Sequence, residues 1–428
     1  MRKMKYSGVE WIGEIPEDWG IVKVKQAFVR KNEKAQQENP VVLSLARSGV
    51  RVRDVSTNEG QVAESYYNYN PVSVGDLLLN PMDLYSGANC SLSEVEGVIS
   101  PAYVNLKNKE GYFSKFYDYY FKVQYWMMVL FAHGKGVSFD NRWTLNHETL
   151  MNFPIVSPDF KTQKHIADFL DDKCGKIDRY IEKQQQTIDK LKEYKQAVIT
   201  EAVTKGLNPE VPMKDSGIEW IGMIPEHWGI RRLRYLGTCI NGISKGGEYF
   251  GSGYPFVSYG DVYKNMELPS SVAGLVETTE DEREWYSVKE GDVFFTRTSE
   301  TIEEVALTST CMKTIENATF AGFLIRFRPN TDLLTKGFSK YYFRSDKHRL
   351  FFVKEMNLVT RASLSQELLK RLPVLLPTID EQLTIAAYLE QKCSNIDEAI
   401  NKKYSVIEKL IKYKKSLIYE AVTGKLEV

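Results

Sequence analysis

Cysteine and histidine are scarce in this chain, five of each in 428 residues. Cys90, Cys174, Cys239, Cys311 and Cys393 form no CxxC pair, and an odd number spread this widely suits neither a disulfide framework nor a structural zinc site. His133, His147, His165, His227 and His348 are equally scattered, without the spacing of metal ligands. No uncharged apolar run reaches the roughly 18 to 20 residues of a membrane span, and "MRKMKYSGVEW" lacks the apolar region of a signal peptide, so a cytoplasmic protein without a membrane role is expected. An excess of one charge is missing too. Lys plus Arg and Asp plus Glu each number 56, so any nucleic-acid surface must be local.

Catalytic constellations are also lacking. There is no GxxxxGK phosphate loop, and the Gly-rich "GISKGGEYFGSG" from Gly242 lacks the strand-to-helix pattern of a nucleotide fold, so it reads as a surface loop. "LNPMDLY" from Leu79 resembles only faintly the Asn-Pro-Pro-aromatic motif of amino-methyltransferases, since the second Pro and the aromatic are absent. "TIDEQ" from Thr378 holds an Asp-Glu pair, but its first-half counterpart "SPDFKTQ" does not keep it, and a helix start accounts for it better. Nothing assembles a nucleophile, a base and an oxyanion site. The chain reads as non-catalytic.

What is present is a duplication. "SGVEWIGEIPEDWG" from Ser7 returns as "SGIEWIGMIPEHWG" from Ser216, at an offset of 209. A second match joins Gln163 onward, "QKHIADFLDDKCGKID", to Gln382 onward, "QLTIAAYLEQKCSNID", at an offset of 219 that holds to the end of both segments. Between these ends the halves barely agree, apart from echoes such as "VGDLLLN" against "EGDVFFT" and "FSKFY" against "FSKYY". A constant frame therefore surrounds two divergent centres. Runs such as "PVVLSLA", "GDLLLN", "PAYVNL", "GDVFFT" and "FLIRFRP" predict short strands, and "SKFYDYYFKVQYWMMVLFAHG" an amphipathic helix, giving a mixed α and β body in each half. In the repeated string Trp11, Ile12, Ile15 and Trp19, with Trp220, Ile221, Ile224 and Trp228, read as packing residues.

After each body the apolar residues step by three and four. Leu170, Ile177, Ile181, Ile188 and Leu191, then Leu389, Ile396, Ile400, Ile407 and Leu410, define the seam of a coiled coil in which Cys174 and Cys393 are small core residues. Gln184 and Lys195 interrupt the first seam, and Lys403 and Lys414 interrupt the second at the same places. A helix of about 40 residues is about 60 Å long, too long to pack wholly on its own body. The two helices are therefore expected to pair antiparallel, with the bodies at opposite ends and a pseudo-twofold axis between them. Lys173, Asp178, Tyr194 and Glu201 recur outside the seam as Lys392, Asp397, Tyr413 and Glu420. They are candidates for a common partner that docks once per half, or for contacts between the helices.

The divergent centres place basic residues in loops. Arg47, Arg51 and Arg53 lie in "LARSGVRVRD", Lys135 and Arg142 in "HGKGVSFDNRW", Lys245 in the Gly-rich segment, Arg297 in "FFTRTSET" and Arg361 in "LVTRASLS". Arginine in such a loop can make bidentate hydrogen bonds to base edges, and Lys can hold phosphates, so these eight are candidate DNA contacts.

The repeated "SGIEWIG.IPEHWG" string, the "LP...P..DEQ..IA.YL" lead-in to a long helix, and the tandem order of variable and constant regions resemble the specificity subunits of type I restriction-modification systems, over nearly the whole chain. The resemblance implies two target recognition domains, residues 1–160 and, with the linker, 207–379, each reading one part of an asymmetric bipartite site in double-stranded DNA. It implies that helices at 161–206 and 380–428 fix the spacer and bind two modification subunits, to which restriction and translocase subunits are added. S-adenosylmethionine, ATP and Mg would then be held by those partners and no cofactor or metal by this chain, in a prokaryotic cytoplasm. The rival readings are a single-chain methyltransferase or nuclease with disguised motifs, and a coiled-coil scaffold without a DNA role.

Overall fold

The computed structural model describes residues 2–55, 63–82, 84–85, 89–136, 143–299, 305–355 and 362–428. The chain divides into two compact units, one of residues 1–184 with 404–428 and the other of residues 185–403. Each contains a mixed α and β body, the start of one long helix and the end of the other.

In the first unit the elements that matter are β1 (Gly20–Lys23), β2 (Phe28–Lys31), β3 (Leu77–Leu79), β4 (Cys90–Leu92), β5 (Val104–Asn108), α1 (Ser114–Trp126), β6 (Pro154–Ser157) and the long helix α2 (Phe160–Lys205), whose later part belongs to the second unit. In the second they are β7 (Gly229–Arg232), β8 (Gly237–Asn241), β9 (Val293–Thr296), β10 (Thr308–Thr310), β11 (Leu324–Pro329), α3 (Lys336–Tyr342), β12 (Pro373–Leu376) and the long helix α4 (Ile379–Val422), whose later part belongs to the first. The four-stranded sheets run β2-β5-β3-β4 and β8-β11-β9-β10, antiparallel throughout. One topology, with the last strand inserted between the first and second, therefore underlies both bodies despite their sequence divergence. A separate antiparallel pair, β1 with β6 and β7 with β12, precedes each long helix.

The echoes noticed in the sequence are the fasteners of this shared frame. Asp76 of "VGD" accepts from the Ser73 backbone N–H (2.8 Å), Asn105 (3.1 Å) and Lys31 (2.7 Å), and Asp292 of "EGD" accepts from the Lys289 backbone N–H (2.7 Å) and, through both oxygens, from Arg328 (2.6 Å). Both aspartates are buried, so each needs these donors. Tyr117 of "FSKFY" donates to the Val156 carbonyl (3.1 Å), while Tyr342 of "FSKYY" accepts from the Leu375 backbone N–H (2.8 Å). Each tyrosine ties the helix after the sheet to the strand before the long helix.

The repeated Trp-rich strings pack as expected. Trp19 and Trp228 are each 1% exposed, Ile12, Ile15, Ile221 and Ile224 are buried, and Trp11 and Trp220 meet His133 and His348 edge on at 4.6 Å and 6.1 Å between ring centroids. A Cβ on Gly206 would meet Trp228 at 3.3 Å, and one on Gly424 would collide with Pro16. Both glycines have positive φ, +76° and +71°, and they end the long helices where only a residue without a side chain fits. This stop explains why α4 ends at Val422, short of the 380–428 expected from the sequence.

Two local expectations are corrected. The apolar run from Ser114 is not one helix. α1 stops at Trp126, Met128 adopts φ +59°, and a short helix resumes at Val129–Ala132. The Gly-rich segment from Gly242 is not simply a loop, because Phe250–Val257 is a strand with a bulge, in which Phe250 and Tyr254 both face Val276. Gly253 in that bulge has φ +95°, and a Cβ there would lie 2.6 Å from the Val276 carbonyl oxygen. The glycines serve the bulge.

Outside the shared sheets the bodies differ. The first carries the hairpin Leu43–Ala46 with Gly49–Val52 and the pair Asn70–Val72 with Gly97–Ile99, over a small core that includes Leu43, Leu45, Val72 and Ile99. The second carries a three-stranded sheet, Gly274–Val276, Phe250–Val257 and Thr319–Phe320, over a larger core that includes Phe256, Val276, Phe294 and Phe320.

Within each unit the long helices run antiparallel. In the second, Lys195 meets Asp397, while Ile199, further along α2, shares a core with Leu389 and Cys393, earlier on α4. In the first, Asp178 meets Lys414, while Leu170 and Cys174 share a core with Leu417, Ala421 and Val422. Leu170, Ile177, Ile188, Leu389, Ile396 and Ile400 are buried, and Ile181, Leu191, Ile407 and Leu410 are half-buried. Among the described residues no helix is long and apolar enough to cross a membrane.

Candidate nucleic-acid interface

Three of the basic candidates ride on one hairpin of the first body. Leu43 and Leu45 alternate inward, as one face of a strand must, and anchor the hairpin on its small core. Ala46 pairs with Gly49, so Arg47 and Ser48 form the two-residue turn, and Arg47 is exposed at the tip. Arg51 stands opposite Ser44 and its Nε donates to the Ser44 hydroxyl (3.4 Å). Arg53, half-buried, borders a cleft of about 650 Å³ with Ser44, Tyr69, Met82 and Tyr103. A two-stranded ribbon carrying arginines at its tip and along one edge has dimensions that a DNA major groove admits. Lys135 is exposed, in a bridge to Thr144.

The second body uses its basic residues differently. Lys245 donates to Glu282 (2.7 Å) and to the Glu277 carbonyl (2.8 Å), so it fastens the outer sheet to the helix Glu280–Trp285. Arg297 follows β9, half-buried, and its backbone accepts from the Leu364 N–H (2.7 Å). Arg142 and Arg361 lie outside the described residues.

On the long helices the recurring residues separate into two groups. Asp178 and Asp397 face the other helix and accept from Lys414 and Lys195, each at 2.7 Å. At the 219 offset Asp178 corresponds to Asp397 and Lys195 to Lys414, so each ion pair is the other with the helices exchanged. The remaining six face outward. Lys173 lies over the Phe169 ring at 5.6 Å and Lys392 over Tyr388 at 5.9 Å, Tyr194 and Tyr413 are 53% and 59% exposed, Glu201 is exposed and Glu420 half-buried. In the second unit Tyr194, Glu201 and Tyr388 border a groove of about 540 Å³ that ends at Asn208 and Met213.

Two fasteners carry no sequence motif. Gln163, in the first turn of α2, donates to the Pro158 (2.8 Å) and Gly111 (3.2 Å) carbonyls and accepts from the Phe113 N–H (2.8 Å). Gln382 does the same on α4 with Pro377 (3.1 Å), Leu333 (2.8 Å) and Thr335 (2.8 Å). Beside them Lys115 pairs with Asp171, and Lys340 with Glu390, each at 2.5 Å. The identity of both glutamines in the aligned segment is the one signal that marks them, and their loop partners give none.

The five thiols are core residues. Burial pushes Cys174 up to about 11 and Cys239 and Cys311 up to about 12, and it raises Cys90 and Cys393. Such thiols are packing residues. Thr378 and Glu381 of "TIDEQ" form a capping box at the start of α4, with the Thr378 backbone N–H donating to Glu381 (3.0 Å) and the Glu381 N–H to the Thr378 hydroxyl (3.3 Å). Among the described residues no cluster of His, Cys, Asp and Glu is arranged to hold a metal ion.

With this geometry in place, comparison with known proteins is informative. The type I restriction modification DNA specificity domain matches residues 225–409. The EcoKI specificity subunit of Escherichia coli K12 is 25% identical over 345 residues, covering 79% of this chain and 69% of the relative. The MjaVIII specificity subunit of Methanocaldococcus jannaschii is 22% identical over 431 residues, covering 97% and 94%. Among solved structures, a chain from work on complex assembly and conformational transition of the type I R-M system superposes with a TM-score of 0.71 at 15% identity, over 96% of this chain and 99% of that one. The HsdS subunit from Thermoanaerobacter tengcongensis superposes at 0.51 with 14% identity, over 96% and 98%. Fold, duplication and sequence thus agree: the chain matches the type I restriction modification DNA specificity domain over residues 225–409 and is similar along most of its length to type I restriction enzyme specificity subunits.

Proposed function

We propose that the chain is the DNA-recognition subunit of a type I restriction-modification complex and reads an asymmetric bipartite site, one part with each body. The observation that carries this reading is the contrast inside each body. An identical four-stranded frame, fastened at equivalent residues, supports two unlike outer layers. A frame that is kept while its outer layer changes is what reading two different sequences from equivalent positions requires.

In this reading Arg47, Arg51 and Arg53 meet base edges or phosphates through the hairpin, and Lys135 holds the backbone nearby. Arg142 joins them in the first body, and Arg297 with Arg361 serves the second, Arg142 and Arg361 coming from segments not described. Lys245 acts indirectly, by holding the outer sheet to Glu282. Lys173, Tyr194 and Glu201, with Lys392, Tyr413 and Glu420, offer two equivalent outward surfaces to two copies of one modification subunit, and restriction subunits join through that assembly. The chain itself is non-catalytic. S-adenosylmethionine, ATP and Mg belong to the partners.

The test is DNA binding by the chain reconstituted with its modification subunits. We expect one bipartite sequence to be bound, with affinity falling about a thousandfold or more from about 50 to 200 mM salt, as six or more phosphate contacts would give. Methyl transfer or cleavage by the purified chain alone, or binding indifferent to sequence and salt, would refute it.

A further inference from the structure

Each long helix carries acids at two successive e positions of its heptads, Asp171 and Asp178 on α2 and Glu390 and Asp397 on α4, and one lysine at an a position of the seam, Lys195 or Lys414. In each unit the seam lysine takes the second acid of the facing helix. Lys195 meets Asp397 and Lys414 meets Asp178, both at 2.7 Å. The first acid is held by the globular body. Glu390 accepts from Lys340 (2.5 Å) and from the Tyr341 hydroxyl (2.7 Å), and Asp171 accepts from Lys115 (2.5 Å) and from the Tyr119 hydroxyl (2.8 Å).

A coiled-coil seam does not by itself specify this choice. Sliding one helix along the other by one heptad keeps every a and d residue opposite an a or d residue, so the apolar seam tolerates the slip. In one direction the slip brings Lys195 to Tyr404 and Lys414 to Gln185, neither of which offers a carboxylate. In the other direction it brings Lys195 to Glu390 and Lys414 to Asp171, which reproduces both ion pairs. That alternative is the one the bodies obstruct. The Lys340 side chain is only 8% exposed and lies against Glu390 (2.5 Å) and, further off, Glu267 (3.4 Å), so it is not a solvated surface group and Glu390 is its nearer partner. Glu390 is held below the ordinary carboxylate range by Lys340 and Tyr341, and Lys195 acts on it in the same sense, so the seam lysine is already within its field.

We propose that Lys115 and Lys340 are register-selecting residues: by occupying Asp171 and Glu390 they withdraw the acids that would otherwise stabilise a helix pair slipped by one heptad. The bodies thereby dictate the alignment of the helices that carry them. The inference concerns helix pairing and does not depend on the chain's reading DNA.

Spin labels at Lys164→Cys and Ser405→Cys, both exposed, report the register in the full chain, since the five native thiols are buried. The unaltered background should give one distance. Lys115→Gln with Lys340→Gln should add a population shorter by about 10 Å, seven residues at 1.5 Å each. Adding Asp171→Asn and Glu390→Gln to that variant should abolish the shorter population. Asp178→Asn with Asp397→Asn leaves Lys115 and Lys340 on the first acids and should therefore keep the single longer distance. A single unchanged distance in Lys115→Gln with Lys340→Gln, a shorter population in Asp178→Asn with Asp397→Asn, or one that survives removal of Asp171 and Glu390, would overturn the proposal.

Discussion

The two bodies share one sheet topology and differ in nearly everything laid over it. In the first a two-stranded hairpin brings Arg47, Arg51 and Arg53 together over a small core. In the second a three-stranded sheet has a core of its own, and its Lys245 is tied to Glu282. What stays constant is the means of attachment: Gln163 and Gln382, Tyr117 and Tyr342, Lys115 with Asp171 and Lys340 with Glu390, and Trp19 and Trp228. The difference teaches where each kind of constraint lies. Gln163, Gln382, Tyr117 and Tyr342 are buried and their polar atoms must find partners within the frame, whereas the outer layers need only a core large enough to hold them.

The comparison can be broken most severely at the tryptophans. Trp19→Ala or Trp228→Ala removes a fully buried ring from the place where a body meets the end of a long helix, and should cost about 3 to 5 kcal/mol. Hydrogen exchange should show the loss in the first unit for Trp19 and in the second for Trp228; equal loosening of both units by either change would contradict their separateness. Gln163→Ala or Gln382→Ala comes next. Each strands two backbone carbonyls and an N–H, at a cost of about 2 to 3 kcal/mol in denaturant unfolding. The two should agree closely, because the three bonds are the same in kind.

A smaller effect sets the units apart by pH. Burial among Trp220, Tyr342 and Phe343 pushes His348 down to about 3. The unfolded chain takes up this proton near 6.5 while the folded chain refuses it until about pH 3, so stability is constant above pH 6.5 and falls on acidification between those values, by at most about 1.4 kcal/mol per pH unit. From this group alone we expect a loss of about 1 to 2 kcal/mol between pH 6.5 and 5, localised to the second unit, and its disappearance in His348→Asn. The smallest change in stability belongs to the hairpin. Arg47→Ala with Arg51→Ala should alter unfolding by less than about 0.5 kcal/mol, yet lower DNA affinity at one part of the site and reduce the salt slope by about 2.

Much of the frame is legible in the sequence, for physical reasons that also mark the limit. Leu170, Ile177, Leu389 and Ile396 announce the seam because burial repeats with the helical period. Trp19 and Trp228 announce packing because nothing else requires so costly a string twice. The echoes of "GD" and "FSK" mark Asp76, Asp292, Lys115 and Lys340 before their partners are known. The partners themselves are not legible. Periodicity gives the angle of a residue around its helix but not what lies opposite, which is why Asp178 and Asp397 read as partner-binding candidates until the lysines of the facing helix are located. The partner of Lys245 is illegible for a related reason, since Glu282 lies 37 residues away in sequence. Base contacts are the least legible, because any arginine in a polar loop satisfies the pattern.

The central claim is that the frame is common and the reading local to each body. Its most direct test is methylation mapping of DNA exposed to a reconstituted complex in which the segment from Gly20 to Phe160 is exchanged for that of a type I restriction enzyme specificity subunit. The account predicts that one part of the bipartite site changes while the other part and the spacer stay as they were. A change in both parts, or in neither, would contradict it.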